Sequence, residues 1–461
     1  MTSTVETPAG AVVPVHRGRL LNVLGVAFGL AVIIGNTIGM GILRTPGEIA
    51  ARLPSPSLFL LVWVVGGCYA LLGAISLSEL GAMIPRSGGQ YVFVRHALGE
   101  YAGFLVGWSD WISTCGSAAA VAMVMAVYIT ELVAPLAGRV TVIAAAAVIA
   151  FAVLQWRGVK WGDSAQQLTS LIKTLVLVAL VAACFLLPVQ RAAQTPAAAA
   201  IPHGVALFAA ITIALQGVIY TYDGWNGVIY FSEEVRNPGR DIPRAMMLGV
   251  VAVIVIYLAL NVAFLHVVPI GGMAGQTLVA GTAAGALFGP RGDTIIHIIM
   301  VLSLLSSVNA LVLMGSRVPY ALARDRLLPA RLTTVNHGGT PTPALVAGLA
   351  ISLIFIVTGT FDQVLALLAF FFVLNYLLSF TSVFVLRRRE PDAPRPYRAW
   401  GYPWTTGVAL LGSAAFLVSA VIGDRANSVR SIIILGLTWP LFLIIRRVRG
   451  PGGEPAGADG A

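Results

Sequence analysis

Long apolar runs alternate with short polar connections along the whole chain. Runs of about 20 residues or more, closed by Arg, Gly and Pro, predict membrane-crossing helices. Twelve are read, at 20–50, 56–84, 95–130, 138–155, 163–187, 204–234, 243–269, 290–323, 342–358, 361–386, 403–423 and 427–446. Several exceed what a bilayer needs, so tilt, breaks or extension beyond the membrane are expected. No connection is long enough for a separate soluble domain. Residues 1–18 and 450–461 read as disordered tails. The first of these has no apolar core ahead of a cleavage site, so the first span is expected to act as an uncleaved anchor.

Two spans are interrupted near half depth. Residues 33–47, "IIGNTIGMGILRTPG", carry Gly35, Asn36, Thr37, Gly39, Gly41 and Gly47 inside an apolar run. Each glycine costs a helix roughly 1 kcal/mol relative to alanine. Residues 219–244, "IYTYDGWNGVIYFSEEVRNPGRDIPR", place Asp223, Gly224 and Gly227 in the sixth span. Gly35 to Gly39 also forms a G-x-x-x-G helix-packing motif. Packing does not account for Asn36, Thr37, Gly41 or the matching interruption five spans later. A repeat of five helices, an odd number, inverts the second copy in the membrane. Paired interruptions in equivalent spans point to a transporter's binding site, where unwound backbone is satisfied by a polar ligand instead of lipid.

Composition agrees: 58% of the 461 residues are hydrophobic and 10% charged. The net charge of +10 raises nucleic acid as a partner, but the arginines are scattered over short loops with no stacking platform. With the N-terminus inside, 21 of the 29 basic residues fall on the cytoplasmic side and seven on the other, with Lys173 between. That asymmetry places both termini in the cytoplasm, with anionic lipid headgroups as neighbours. Cys68, Cys115 and Cys184 lie in apolar runs without metal-ligand spacing and read as small buried core residues.

Lys173, one of two lysines, lies about ten residues into the fifth span, roughly 15 Å deep at ~1.5 Å per residue. A lysine at that depth is expected to face a polar cavity and to have a partner. Ser303, Ser306 and Ser307 share one face of the eighth span. Asp110 and Asp223 are also deep; Asp110 receives no role. Glu79, Glu233 and Glu234 lie near cytoplasmic ends, where pairing with loop arginines is expected. His203, His266, His297 and His337 fall at span ends or loops and form no ligand cluster, so no metal site, cofactor or enzyme chemistry is expected.

Three longer stretches carry a resemblance: "SELGAMIPRSGGQYVFVRHALGEYAGFLVGW" (78–108), "YDGWNGVIYFSEEVRNPGRDIPRA" (222–245) and "SRVPYALARDRLLP" (316–329). Together they resemble the amino acid–polyamine–organocation superfamily, in particular bacterial relatives of the L-type amino acid transporters. The resemblance implies an all-α integral membrane protein of the leucine-transporter fold. That fold has two inverted five-helix repeats (spans 1–5, about 20–187, and 6–10, about 204–387) plus two extra helices (about 403–446). One permease domain, 19–449, follows. The resemblance also implies that Gly39, Met40 and Gly41 offer backbone amides to the substrate's α-carboxylate, with Met40 where the family carries serine. Carbonyls near Thr37, Tyr220, Thr221 and Asp223, beside Gly224, would hold the α-ammonium. Tyr220 takes the place of an aromatic gate. Lys173, with Ser306 and Ser307 around it, would occupy the place of sodium in sodium-coupled members, implying sodium-independent transport.

The sequence thus reads as a plasma-membrane amino acid permease working by alternating access, moving neutral L-amino acids by exchange or with protons. The alternative within the class is a cationic amino acid or polyamine carrier, to which Asp223 would supply a counter-charge. A membrane enzyme lacks a convergent acid–base cluster, and a non-transporting sensor lacks a signalling domain. The oligomeric state is not legible.

Overall fold

A computed structural model describes residues 20–189, 198–359, 361–423 and 425–449. Both expected tails lie outside the described residues. Seventeen α-helices follow in order: α1 (Val26–Thr37), α2 (Gly41–Arg52), α3 (Pro56–Met83), α4 (Gln90–Leu98), α5 (Glu100–Leu132), α6 (Val140–Trp156), α7 (Val159–Leu186), α8 (Val205–Tyr222), α9 (Pro238–Val267), α10 (Ile270–Met273), α11 (Val279–Phe288), α12 (Gly292–Gly315), α13 (Arg317–Arg324), α14 (Thr342–Thr358), α15 (Phe361–Arg389), α16 (Trp404–Gly423) and α17 (Arg425–Arg449). The only strand-like pairing among the described residues is one bridge, Leu24 to Val235.

Nine described helical segments are long and apolar enough to cross a membrane, ten when α1 and α2 are taken together. The shorter apolar helices α6 and α14 have 17 residues each. The run read as 20–50 is two helices meeting at 45°. Residues 95–98, read as the start of the third span, belong instead to α4. Gly99, at φ 95°, separates α4 from α5. The run 290–323 divides at Ser316 into α12 and α13.

Helix α3 packs against α9, α5 against α12, and α6 against α14. Buried faces carry closely fitted small and aromatic residues, and outward faces are apolar. Cys68 corrects the reading of buried cysteines: it is exposed on α3, while Cys115 and Cys184 are buried. Its position follows from helical period, because Leu61, Val64 and Val65 share that outward face.

At the arginine-rich end, buried carboxylates bind arginines. Glu79 accepts from Arg387 Nε (2.7 Å) and Nη2 (2.6 Å) and from the backbone N–H of Ala399 (2.7 Å). Arg395 also approaches Glu79, at 3.2 Å. Glu234 pairs bidentately with Arg317, both fully buried, and Glu233 pairs with Arg324. Asp325 receives Arg86, Arg95 and the Tyr91 hydroxyl. Glu79 thus ties α3 to the end of α15 and the segment after it, Asp325 ties the end of α13 to α4, and Glu233 and Glu234 tie the residues before α9 to α13.

Candidate functional site in the interrupted helices

The first interruption begins where α1 ends at Thr37. Ile38 leaves helical geometry at φ −79°, ψ 88°, and α2 restarts at Gly41. The first amides of a helix lack intrahelical acceptors and carry the positive end of its dipole. Those of Met40 and Gly41 therefore open α2 as a polar surface. The Gly39 N–H is already engaged, donating to Thr37 O at 2.9 Å.

The second interruption follows α8. Gly224 sits at φ +104°, where an L side chain is strained, and a Cβ there would lie 2.7 Å from Asn36 Nδ2. The chain then continues as a short 3-10 turn, Gly227–Phe231. The two interruptions face each other directly. Asn36 Nδ2 donates to Gly224 O at 3.3 Å, and Thr45 Oγ1 meets Thr221 Oγ1 at 3.0 Å. The Tyr257 hydroxyl on α9 bridges them, 2.8 Å from Thr37 O and 3.0 Å from Thr221 O.

Between them lies a cavity of about 350 Å³. All eight residues expected at the substrate, Thr37, Gly39, Met40, Gly41, Tyr220, Thr221, Asp223 and Gly224, line it. Helices α5, α12 and α15 complete the wall with Asp110, Thr114, Ser117, Ser307, Leu311, Met314, Phe372 and Tyr376. Arg44 and Glu48, exposed and one turn apart on α2, form part of the lining. Tyr220 is partly exposed along the wall.

Two details refine the carbonyl set. Thr37 O and Thr221 O already accept from Tyr257, and Tyr220 O accepts from the Asp223 N–H at 3.1 Å. Each carbonyl keeps a second lone pair. Asp223 itself accepts from the Tyr376 hydroxyl at 2.5 Å.

Lys173 does not stand on the cavity wall. It lies behind the first interruption, 1% exposed, with its three donors on Gly35 O (2.8 Å), Ile38 O (2.5 Å) and Ser307 Oγ (3.0 Å). Its partners are neutral oxygens, not a carboxylate. Ser307 also donates to Gly35 O at 2.7 Å. Ser306, expected beside Lys173, instead joins a neighbouring cluster. It meets Ser170 Oγ at 2.8 Å and Gln166 Nε2 at 3.2 Å. Gln166 Nε2 and Ser170 Oγ both donate to Ala31 O, and Asn309 Nδ2 donates to Gln166 Oε1. This cluster explains Gly35: a Cβ there would lie 2.0 Å from Gln166 Nε2 and 2.6 Å from Ser306 Oγ.

The sequence reading did not single out Tyr257, Tyr376, Gln166 or Asn309. Each is a lone polar residue in an apolar run, and only packing distinguishes an inward from an outward one. Asp110, left without a role, lines the cavity with Tyr230 as its partner.

The chain matches the family model described as amino acid permease over residues 22–444. It is 29% identical to the serine/threonine exchanger SteT of Bacillus subtilis (strain 168), covering 89% of this chain and 94% of that protein. It is 26% identical to the mouse (Mus musculus) b(0,+)-type amino acid transporter 1, over 92% of this chain and 87% of the relative. It is 28% identical to the human large neutral amino acids transporter small subunit 2, over 81% of this chain and 71% of the relative.

Proposed function

The chain belongs to the amino acid permease family, and on that footing we propose that it carries amino acids through the cavity between its two interrupted helices by alternating access. The observation that supports this most directly is the meeting of the two interruptions, each with unwound backbone, on one 350 Å³ cavity. The amides of Met40 and Gly41 take the substrate's carboxylate at the positive end of α2. The ammonium goes to Asp223 and the free lone pairs of Thr37 O and Thr221 O. Both groups are common to all amino acids, so the clamp recognises the main chain. Neutral L-amino acids satisfy it without further charge.

Twelve spans, with α6 and α14 among them, form one permease domain with inverted halves. The pairing of α3 with α9, α5 with α12 and α6 with α14 supports this, since an approximate two-fold axis brings equivalent helices face to face. The excess of arginine at one end supports a reading in which that end and both termini are cytoplasmic, in the plasma membrane. Lys173 fixes a positive charge on the Gly35 and Ile38 carbonyls, which supports sodium-independent exchange or proton coupling. A second reading, a carrier of cationic amino acids, is favoured by one observation: beside the exposed Arg44 and Glu48, two further carboxylates, Asp110 and Asp223, line the cavity.

Purified protein in proteoliposomes tests the proposal. Internal amino acid is expected to accelerate uptake of labelled external amino acid, without sodium. Absence of uptake or exchange across a full amino acid panel overturns it.

A further inference from the structure

We propose that Asp110 is the side-chain subsite of the cavity and takes a substrate side chain ending in an ammonium or guanidinium group. This rests on the reading that the cavity carries an amino acid, and it assigns a specificity-determining residue within it.

Asp110 is 1% exposed on α5 yet lines the cavity. Its two carboxylate oxygens share one donor, the Tyr230 hydroxyl, at 2.7 and 2.9 Å. One hydroxyl supplies one proton, whereas a carboxylate offers about four acceptor positions. Among the described residues no Lys, Arg or His forms an ion pair with it. A buried carboxylate without a compensating charge is strongly disfavoured. A cationic group arriving with the substrate supplies both the missing charge and the missing donors.

Position fits this role. Asp110, Thr114 and Ser117 lie at i, i+4 and i+7 on the cavity face of α5, a polar stripe on a wall separate from either interruption. Asp223 belongs to the second interruption, where the main-chain ammonium is held, so the two carboxylates serve different ends of one molecule. The cavity of about 350 Å³ equals the liquid volume of roughly a dozen waters. It therefore has room for a long side chain beyond the main-chain clamp.

Lysine and norleucine test the subsite, because they share a main chain and differ at the side-chain end in an ammonium against a methyl group. Inhibition of labelled amino acid exchange is measured with each, and the ratio of their inhibition constants is compared within each variant. Wild type is expected to be inhibited by lysine. Asp110→Asn is expected to shift the ratio at least tenfold toward norleucine, and Asp110→Glu to keep it near wild type. Thermal stabilisation of the detergent-purified variants by lysine or norleucine gives the same ratio where a variant does not exchange. Tyr230→Phe, which keeps the carboxylate, is expected to retain lysine inhibition.

The proposal falls if wild type exchanges neutral amino acids but ignores lysine, or if the ratio is the same in Asp110→Asn. It also falls if Asp223→Asn alone shifts the ratio. If wild type exchanges no amino acid at all, the reading of the cavity itself falls, a result distinct from each of these.

Discussion

Lys173 sets three donors on the first interruption and its surroundings, whereas the second receives neutral side-chain donors, the Asn36 amide and the Tyr257 and Tyr376 hydroxyls. The first therefore has a lysine amine on its hidden side. The second presents an acidic side chain, Asp223, to the cavity. On the proposed reading of two inverted halves, equivalent breaks have been finished with different chemistry. On the proposed reading this gives the cavity a direction: carboxylate toward the start of α2, ammonium toward Asp223. A symmetric pair of breaks would leave a zwitterion two equal orientations.

The largest effect is expected where the contrast is sharpest. Lys173→Ala leaves Gly35 O and Ile38 O with Ser307 as their remaining side-chain donor. Each buried acceptor left short costs about 1–3 kcal/mol, so exchange should fall roughly tenfold or more. Initial rates in proteoliposomes check this, and wild-type rates would show that the cation at the first break is dispensable.

A smaller effect is expected at the shared point. Tyr257→Phe removes a hydroxyl that touches both breaks, through Thr37 O and Thr221 O. At about 0.5–1.5 kcal/mol for such a bond, exchange should drop roughly two- to tenfold while thermal stability changes little. A loss as severe as that of Lys173→Ala would mean that hydroxyl and cation do equivalent jobs.

Met40→Ser should do least. If backbone amides hold the carboxylate, the side chain at this position is optional, and apparent affinity should stay or tighten by about threefold. Weakened binding in a substrate titration would assign the methionine itself a role in the first break.

Much of this contrast was readable before the fold. Glycines and polar residues inside an apolar run are local signals, so both breaks stood out, and so did Lys173 by its depth. The partners were not readable. Nothing in "VIVIYLALNV" tells whether Tyr257 faces lipid or the bundle, and Tyr376 and Gln166 are equally silent. The separation of α4 from α5 was missed for a related reason. Arg95, His96 and Glu100 around Gly99 suit a span end as well as a turn between two helices, and the backbone angle of Gly99 shows the turn. Ser306 and Ser307 illustrate the limit of periodicity. Neighbours on one helical face, they join different clusters because each meets a different residue of α7.

The Glu79 cluster has a consequence in time. Glu79 is synthesised 308 residues before Arg387. At about 5–20 residues per second, that interval lasts roughly 15–60 s. Throughout it the carboxylate has none of the partners it holds in the finished fold, because Arg395 and Ala399 come later still. The emerging α3 must keep this end in contact with water, since an unpaired carboxylate is costly inside the bilayer. An early helix is thus completed by a late one. A nascent chain that stops before Arg387 leaves a carboxylate at the membrane edge with only water to meet it.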